Sequence, residues 1–188
     1  MRIGVVSDTH GYYDPRLAGL LQGVDSIIHA GDVGSQEVLD QLSLIAPLVA
    51  VRGNVDSPDL RLPVKRAFQW EGVLFEILHI LPASQSQLEE WAGFQPGSET
   101  ECRERDRFLK SFQPAARLIV FGHSHQPSLA SLDNRLFLNP GSAGKKRFSL
   151  PRCCALINLT PRQATVKILS LQDYNQDVLK SVELTFGE

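Results

Sequence analysis

The sequence predicts an α/β fold built on mixed sheets, and three observations carry that expectation. Short β-branched runs alternate with helical patterns over the first third of the chain, a Glu71-Gly72 turn signal joins two further strand-like runs, and strand patterns separated by turns dominate the second half. With 188 residues and a 43% hydrophobic composition, the chain can bury one substantial core, and two would be crowded. Residues 1–188 are therefore read as a single domain.

The runs 3–6, 26–29 and 48–51 read as strands, with helical patterns at 15–22 and 36–42 between them, which is a βαβαβ rhythm with parallel pairing. Runs 64–70 and 73–78, split by Glu71-Gly72, read as an antiparallel hairpin, so the topology becomes mixed from that point. A polar insertion at 82–114 follows, with a helical pattern at 84–91, a Gly/Pro break at 94–98 and a charged stretch at 99–112. Glu101 with Arg105 and Glu104 with Arg107 fall at helical spacings there, which predicts a surface helix. Runs 117–121, 135–138, 153–159 and 165–171 are further strands, joined by turns such as Thr160-Pro161-Arg162.

Composition narrows the function classes. The formal charge of -2 comes from 19 basic and 21 acidic residues without a dominant basic block, so no broad surface for nucleic acid or membrane is expected. The N-terminal residues pass straight into an apolar run without the pattern of a signal peptide, and no stretch is long enough to span a bilayer. Three cysteines do not make a disulfide framework, and together these features predict a cytoplasmic protein. Cys153 and Cys154 are adjacent and would face opposite sides of a strand, so the cysteines are read as core rather than as a metal clip.

The informative pattern is that metal-competent residues recur at the carboxyl ends of apolar runs. Asp8-Thr9-His10, Gly31-Asp32, Gly53-Asn54, His79 and Gly122-His123-Ser124-His125 each follow a predicted strand. In open α/β sheets the strand carboxyl ends line the ligand crevice, so five segments aim donors at one place. Alone, Asp8 reads as a cap, the Gly-Asp and Gly-Asn pairs as turns, and His79 as a core histidine. Their joint occurrence, in order and always after a strand, outweighs those separate readings.

This order resembles the signature of the calcineurin-like metallophosphoesterases, which runs D-x-H, G-D, G-N-H-[DE], a lone His and G-H-x-H. Asn139-Pro140-Gly141-Ser142 is similar to the N-P-G-S segment of that family's small bacterial and archaeal phosphodiesterase branch. The resemblance implies two mixed β-sheets sandwiched between flanking helices, a four-layer architecture. It also implies a dinuclear centre, with Asp8, His10, Asp32 and His125 around one ion, Asp32, Asn54, His79 and His123 around the other, and Asp32 as the bridge. Asp32, Asn54 and His123 are then the residues expected to take part in catalysis.

Carboxylate, imidazole and amide donors without thiolate suit Mn²⁺, the favoured ion here, as well as Fe, Ni²⁺ or Zn²⁺. Two such cations about 3.5 to 4 Å apart share a hydroxide and clamp the attacking and leaving oxygens of an in-line displacement at phosphorus. The expected substrate is a small-molecule phosphate ester, more specifically a diester. Neither a membrane nor a nucleic acid is expected as partner, and the pattern is neutral about a homo-oligomer. One eukaryotic member of this fold, a retromer scaffold subunit, serves mainly as a protein-interaction platform, so a non-catalytic scaffold is the alternative.

Two departures from the family pattern stand out. Val55 occupies the position of the histidine in G-N-H-[DE], as in the small phosphodiesterase branch, and Ile80 follows His79 where the family has Gly. A Cβ at 80 is expected to disturb His79. The insertion, directly after His79 and before His123, is expected to cover the cleft as a lid. Arg52 reads equally as a contact that steadies a phosphate or the Asp56 carboxylate and as a strand-end surface arginine, while Asp56 is read as orienting a ligand and His29 as structural. The run Lys145-Lys146-Arg147 is read as solvated.

Overall fold

The computed structural model describes residues 1–94, 97–146, 149–172 and 177–186. The expected βαβαβ opening forms as β1 (Arg2–Val6), α1 (Arg16–Leu20), β2 (Ser26–His29), α2 (Gln36–Ser43) and β3 (Leu48–Ala50). β1 pairs parallel with β2, and β2 with β3. After a short 3-10 turn at Pro58–Leu60 come β4 (Lys65–Trp70), β5 (Val73–Leu78), α3 (Gln85–Gly93) and α4 (Glu99–Lys110). The chain then runs through β6 (Ala116–Val120), β7 (Ser128–Leu132), β8 (Arg135–Asn139), β9 (Cys153–Thr160), β10 (Gln163–Ser170) and β11 (Val178–Thr185).

Two sheets result, with strand orders β11-β10-β9-β1-β2-β3 and β4-β5-β6-β8-β7. Both are mixed, because β1 is parallel to β2 but antiparallel to β9, and β6 is parallel to β5 and β8 while β4 and β7 run against their neighbours. The expected turn at Glu71-Gly72 is a tight one, with φ of 49° and 77° between the paired Trp70 and Val73. Asp133-Asn134 makes the same turn, with φ of 54° and 56°, between β7 and β8.

Alternation along the strands sorts the core into three layers of contact. Ile3, Val5, Ile28, Phe75, Ile77, Leu118 and Val120 fill the space between the sheets. Val6, Leu17, Leu21, Val38 and Leu42 seal the outer face of the first sheet under α1 and α2. Ile119 and Phe137, facing the other way from Leu118 and Leu138, meet Leu88, Trp91, Phe108 and Phe112 under α3 and α4. Helices, sheet, sheet and helices make the four layers.

The insertion therefore becomes a structural layer. Ser84 and Ser98 open α3 and α4 with capping boxes, completed by Gln87 and Glu101. Glu101 spends its carboxylate on that cap, accepting from the Gly97 and Ser98 N–H groups, and the ion pair along α4 is Glu99–Arg103. Phe108 anchors α4 against Phe137, which places the helix on the outer face of the second sheet rather than across the cleft as a lid. The central residues of the Gly/Pro break, Gln95 and Pro96, lie outside the described residues. Cys153 and Cys154 are buried as expected, whereas Cys102 is exposed on α4, where the helix carries one apolar stripe only.

Candidate metal centre

Five of the expected ligands sit in the left-handed region of backbone space: Asp8 (φ 54°), His10 (49°), Asp32 (53°), His123 (71°) and His125 (58°). The other non-glycine residues with positive φ have local reasons, since Glu71, Asp133 and Asn134 form the tight hairpin turns and Arg61 ends the 3-10 turn. Strained backbone of this kind persists where surrounding contacts over-determine it. Here the contacts are between loops: Asp8 N–H donates to Gly31 O (3.0 Å), His10 N–H to Asp32 O (2.9 Å) and Gly11 N–H to Val33 O (2.7 Å).

These turns bring side chains from both sheets together. Asp8, His10 and His125 form one cluster and Asp8, Asp32 and His79 another, each with ligand atoms within 4.8 Å of one another. The His10 and His125 Nε2 atoms are 3.2 Å apart, and His125 Nε2 is 3.3 Å from Asp8 Oδ1. Asp32 Oδ2 lies between the groups, 3.8 Å from His10 Nε2 and 3.2 Å from His79 Nε2. His123 stands edge-on to His79 with ring centroids 5.4 Å apart, and its N–H donates to Asp8 Oδ2 (3.2 Å). Asn54 is exposed and lines a cleft of about 330 Å³ together with His79.

The donor set fits cations. Asp8 Oδ1 and His79 Nε2 are buried without a hydrogen-bond partner and face each other at 3.9 Å. Buried polar atoms are almost always satisfied, so a pair of orphans flanked by a carboxylate marks a place for a positive ion. Burial presses the Asp32 carboxyl upward, but the His79 ring beside it, the Val55 N–H and the His10 imidazole hold it down at about 2. Burial likewise pulls His79 down, yet its contacts with Asp32, Asp8 and Ala30 O leave it above the ordinary imidazole value. The cluster is organised to hold positive charge.

Two glycines make the approach physically possible. A Cβ on Gly53 would stand 2.0 Å from Asp32 Oδ1, and one on Gly122 would stand 2.0 Å from Ser7 Oγ and 2.7 Å from Asp8 Oδ2. Glycine is thus required because neighbouring backbone runs directly past the carboxylates. The same logic corrects the expectation about His79. It is 3% exposed and donates from Nδ1 to Ala30 O (2.7 Å), undisturbed by Ile80. Room for the ring comes from Gly31, where a Cβ would meet His79 Cβ at 2.7 Å, while Ile80 points its side chain toward solvent.

The Asn139–Ser142 segment is a brace. Asn139 Nδ2 donates to Gly122 O (3.0 Å), Ser124 Oγ (2.9 Å) and Gln85 Oε1 (3.1 Å), and Asn139 Oδ1 accepts from Gly141 N–H. Ser142 Oγ donates to Asp8 O (2.9 Å). One short stretch thereby grips the His123 loop of the second sheet and the Asp8 loop of the first. Gln85 and Glu89 of α3 extend the brace, accepting from Ser124 and Ser128 at 2.6 Å each. Their role was not legible in the sequence, where both look like helix-surface residues.

His29 is structural: Gly31 N–H donates to its Nδ1, so its proton is on Nε2 and goes to Thr9 Oγ1, which donates onward to Val33 O. Asp56 accepts from Gly34 N–H (2.7 Å) and Gly53 N–H (2.8 Å), fixing the loops beside Asp32 rather than touching a ligand side chain. The ion pairs among the described residues do not include one between Arg52 and Asp56. Lys145 lies over the Tyr12 ring at 5.8 Å, and Arg147 lies outside the described residues.

With fold and centre described, the class is defined. Residues 1–162 match the calcineurin-like phosphoesterase superfamily domain, and the chain belongs to that superfamily of metal-dependent phosphoesterases. A probable metallophosphoesterase of Methanothermobacter thermautotrophicus is 28% identical over 164 residues, spanning 83% of this chain and 85% of its own. Another from Methanocaldococcus jannaschii is 31% identical over 161 residues, spanning 81% of this chain and 71% of its own. Vacuolar protein sorting 29 from Cryptosporidium parvum shares the fold, with a TM-score of 0.71 over 98% of each chain at 20% identity. No helix among the described residues is long and apolar enough to cross a membrane.

Proposed function

We propose that this chain is a phosphodiesterase that works with two divalent metal ions, Mn²⁺ favoured. The observation that carries the reading is the pair of buried, unpartnered atoms Asp8 Oδ1 and His79 Nε2, with Asp32 Oδ2 beside them. Asp8, His10 and His125 would hold one ion, His79, Asn54 and His123 the other, and Asp32 would serve both. Bound there, such ions supply Lewis acidity at the phosphoryl oxygens and lower the pKa of the attacking water. The neighbours of Asp32 hold it as a carboxylate well below the usual range, ready for a cation, and any imidazole that binds a metal does so as the neutral ring. Asn54 and His123, at the exposed rim, would also orient the phosphate. Clefts on both sides, about 330 Å³ at Asn54 and about 730 Å³ at His123, leave space for two ester arms, which favours a diester.

Val55 lends its N–H to Asp32 Oδ1 (3.1 Å) but has no proton for a departing oxygen. General acid help is worth about 10² to 10⁴ in rate, so kcat should fall steeply as the leaving group becomes more basic. Reconstitution with Mn²⁺, Ni²⁺ or Zn²⁺, followed by kcat over p-nitrophenyl and less activated phosphodiesters, tests this. A flat series means a general acid is at work. Absence of turnover with any metal in metal-loaded protein hands the chain to the scaffold reading, which the likeness in fold to vacuolar protein sorting 29 favours.

A further inference from the structure

We infer that the cleft at Asn54 is a subsite for one organic arm of the substrate, an apolar or aromatic arm ending in an additional anionic group, with Arg52 as its charge contact. The inference rests on the phosphodiesterase reading and adds the class of diester. The cleft opens directly from the metal cluster, since Asn54 and His79 form part of its wall alongside Arg52, Val64, Lys65 and Ile80.

Charge in this cleft comes from one side chain. Lys65 Nζ is engaged by the buried Glu76 carboxylate and by Ser111 O at 3.1 Å, so its charge is already compensated. Arg52 has no carboxylate partner among the described residues, because Asp56 accepts backbone N–H groups from Gly34 and Gly53. A guanidinium beside a metal cluster, without a hydrogen-bond or ion-pair partner among the described residues, recognises carboxylate or phosphate oxygens.

The walls around that cation are apolar and exposed. Val64 is 62% exposed and Ile80 47%, with Leu78 also lining the cleft. Single exposed apolar residues need no explanation, but a group of them framing a cation beside a reactive centre is the lining of a ligand site. The cleft on the other side of Ile80 differs, with Ser84, Gln85, Ser124 and Gln126 and no Asp, Glu, Lys or Arg in its wall among the described residues. Ile80 lines both clefts and divides them, so the two arms of a diester are sorted: anionic toward Arg52, neutral toward α3.

The test uses Mn²⁺-loaded protein and matched probes. Calorimetric titration with phenyl phosphate and 4-carboxyphenyl phosphate should show the carboxylated ligand bound about tenfold more tightly. Arg52→Ala should bring the two affinities together and Arg52→Lys should keep part of the difference. Equal affinities in the native protein, or a preference that survives Arg52→Ala, overturns the inference. In parallel, kcat/KM is compared for p-nitrophenyl phenyl phosphate and its 4-carboxyphenyl counterpart, which share a leaving group. The ratio is internal to each variant, so partial unfolding or metal loss lowers both rates and leaves it unmoved. A calorimetric preference without turnover of either ester sinks the phosphodiesterase reading and leaves the anion subsite standing. Turnover of both esters at a ratio near one does the reverse.

Discussion

The two sheets contribute unlike halves of the metal centre. The first sheet delivers both carboxylates, and its loops hold one another through backbone hydrogen bonds, as between Asp8 and Gly31 or His10 and Asp32. The second sheet delivers His79, His123 and His125, and these depend on partners elsewhere. His79 bonds to Ala30 O of the first sheet, His123 N–H to Asp8, and Ser124 to Gln85 of α3 and to Asn139. The first half is held chiefly by its own loops, with Ser142 bracing Asp8 O, and the other is positioned chiefly by remote contacts. The lesson is that damage should spread differently from the two sides.

The largest effect is expected at the atom the halves share. Asp32→Asn removes the charge that lies between His10 and His79, and kcat should fall by at least about 10³-fold. Metal analysis should show both ions weakened; full occupancy with unchanged turnover would contradict a shared role for Asp32.

A second test acts through protonation on the half held by its own loops. Burial depresses the His29 pKa to about 4, and His29 holds Thr9 and Gly31 beneath the carboxylate loops. Because its folded pKa lies below the unfolded value of about 6.5, the unfolded state binds the proton first, and stability drains away as pH falls from about 6.5 through 4. The loss amounts to about 3 kcal/mol at most, measurable in metal-free protein by denaturant titration across that range. His29→Gln should flatten this slope while lowering stability at neutral pH.

The remote contacts of the other half give the smallest effects. Asn139→Ala releases Gly122 and Ser124 together and should weaken Mn²⁺ binding or turnover by about 10- to 100-fold. Gln85→Ala removes only the outer part of the same brace, and an effect of a few-fold is expected. If Gln85→Ala proves as harmful as Asn139→Ala, α3 is more than a support for the His123 loop.

Much of the centre was legible because its chemistry is local. An apolar run followed by Gly31-Asp32 or Gly122-His123 specifies a strand, a sharp turn and a donor within a few residues. Among the elements not singled out, β7 is a five-residue edge strand whose buried positions are Ser128, Ala130 and Leu132, a weak apolar signal, and β11 is a largely exposed edge strand. The lid expectation failed because the charged sequence of α4 conceals one buried anchor, Phe108.

By itself, then, the sequence determined the donor types, their order after the strands and the mixed α/β class, since these follow from periodicity and turn chemistry acting over a few residues. Tertiary structure alone decided that Gly31 makes the room for His79, that Asn139 and Ser142 clamp opposite sheets, and that Arg52, without a carboxylate partner among the described residues, shares a cleft with Ile80. Asp8 and His125 are 117 residues apart along the chain, and their 3.3 Å separation exists only because the inner faces of two sheets pack in one register. No local rule encodes a contact of that kind, because it is set by the packing of the whole core.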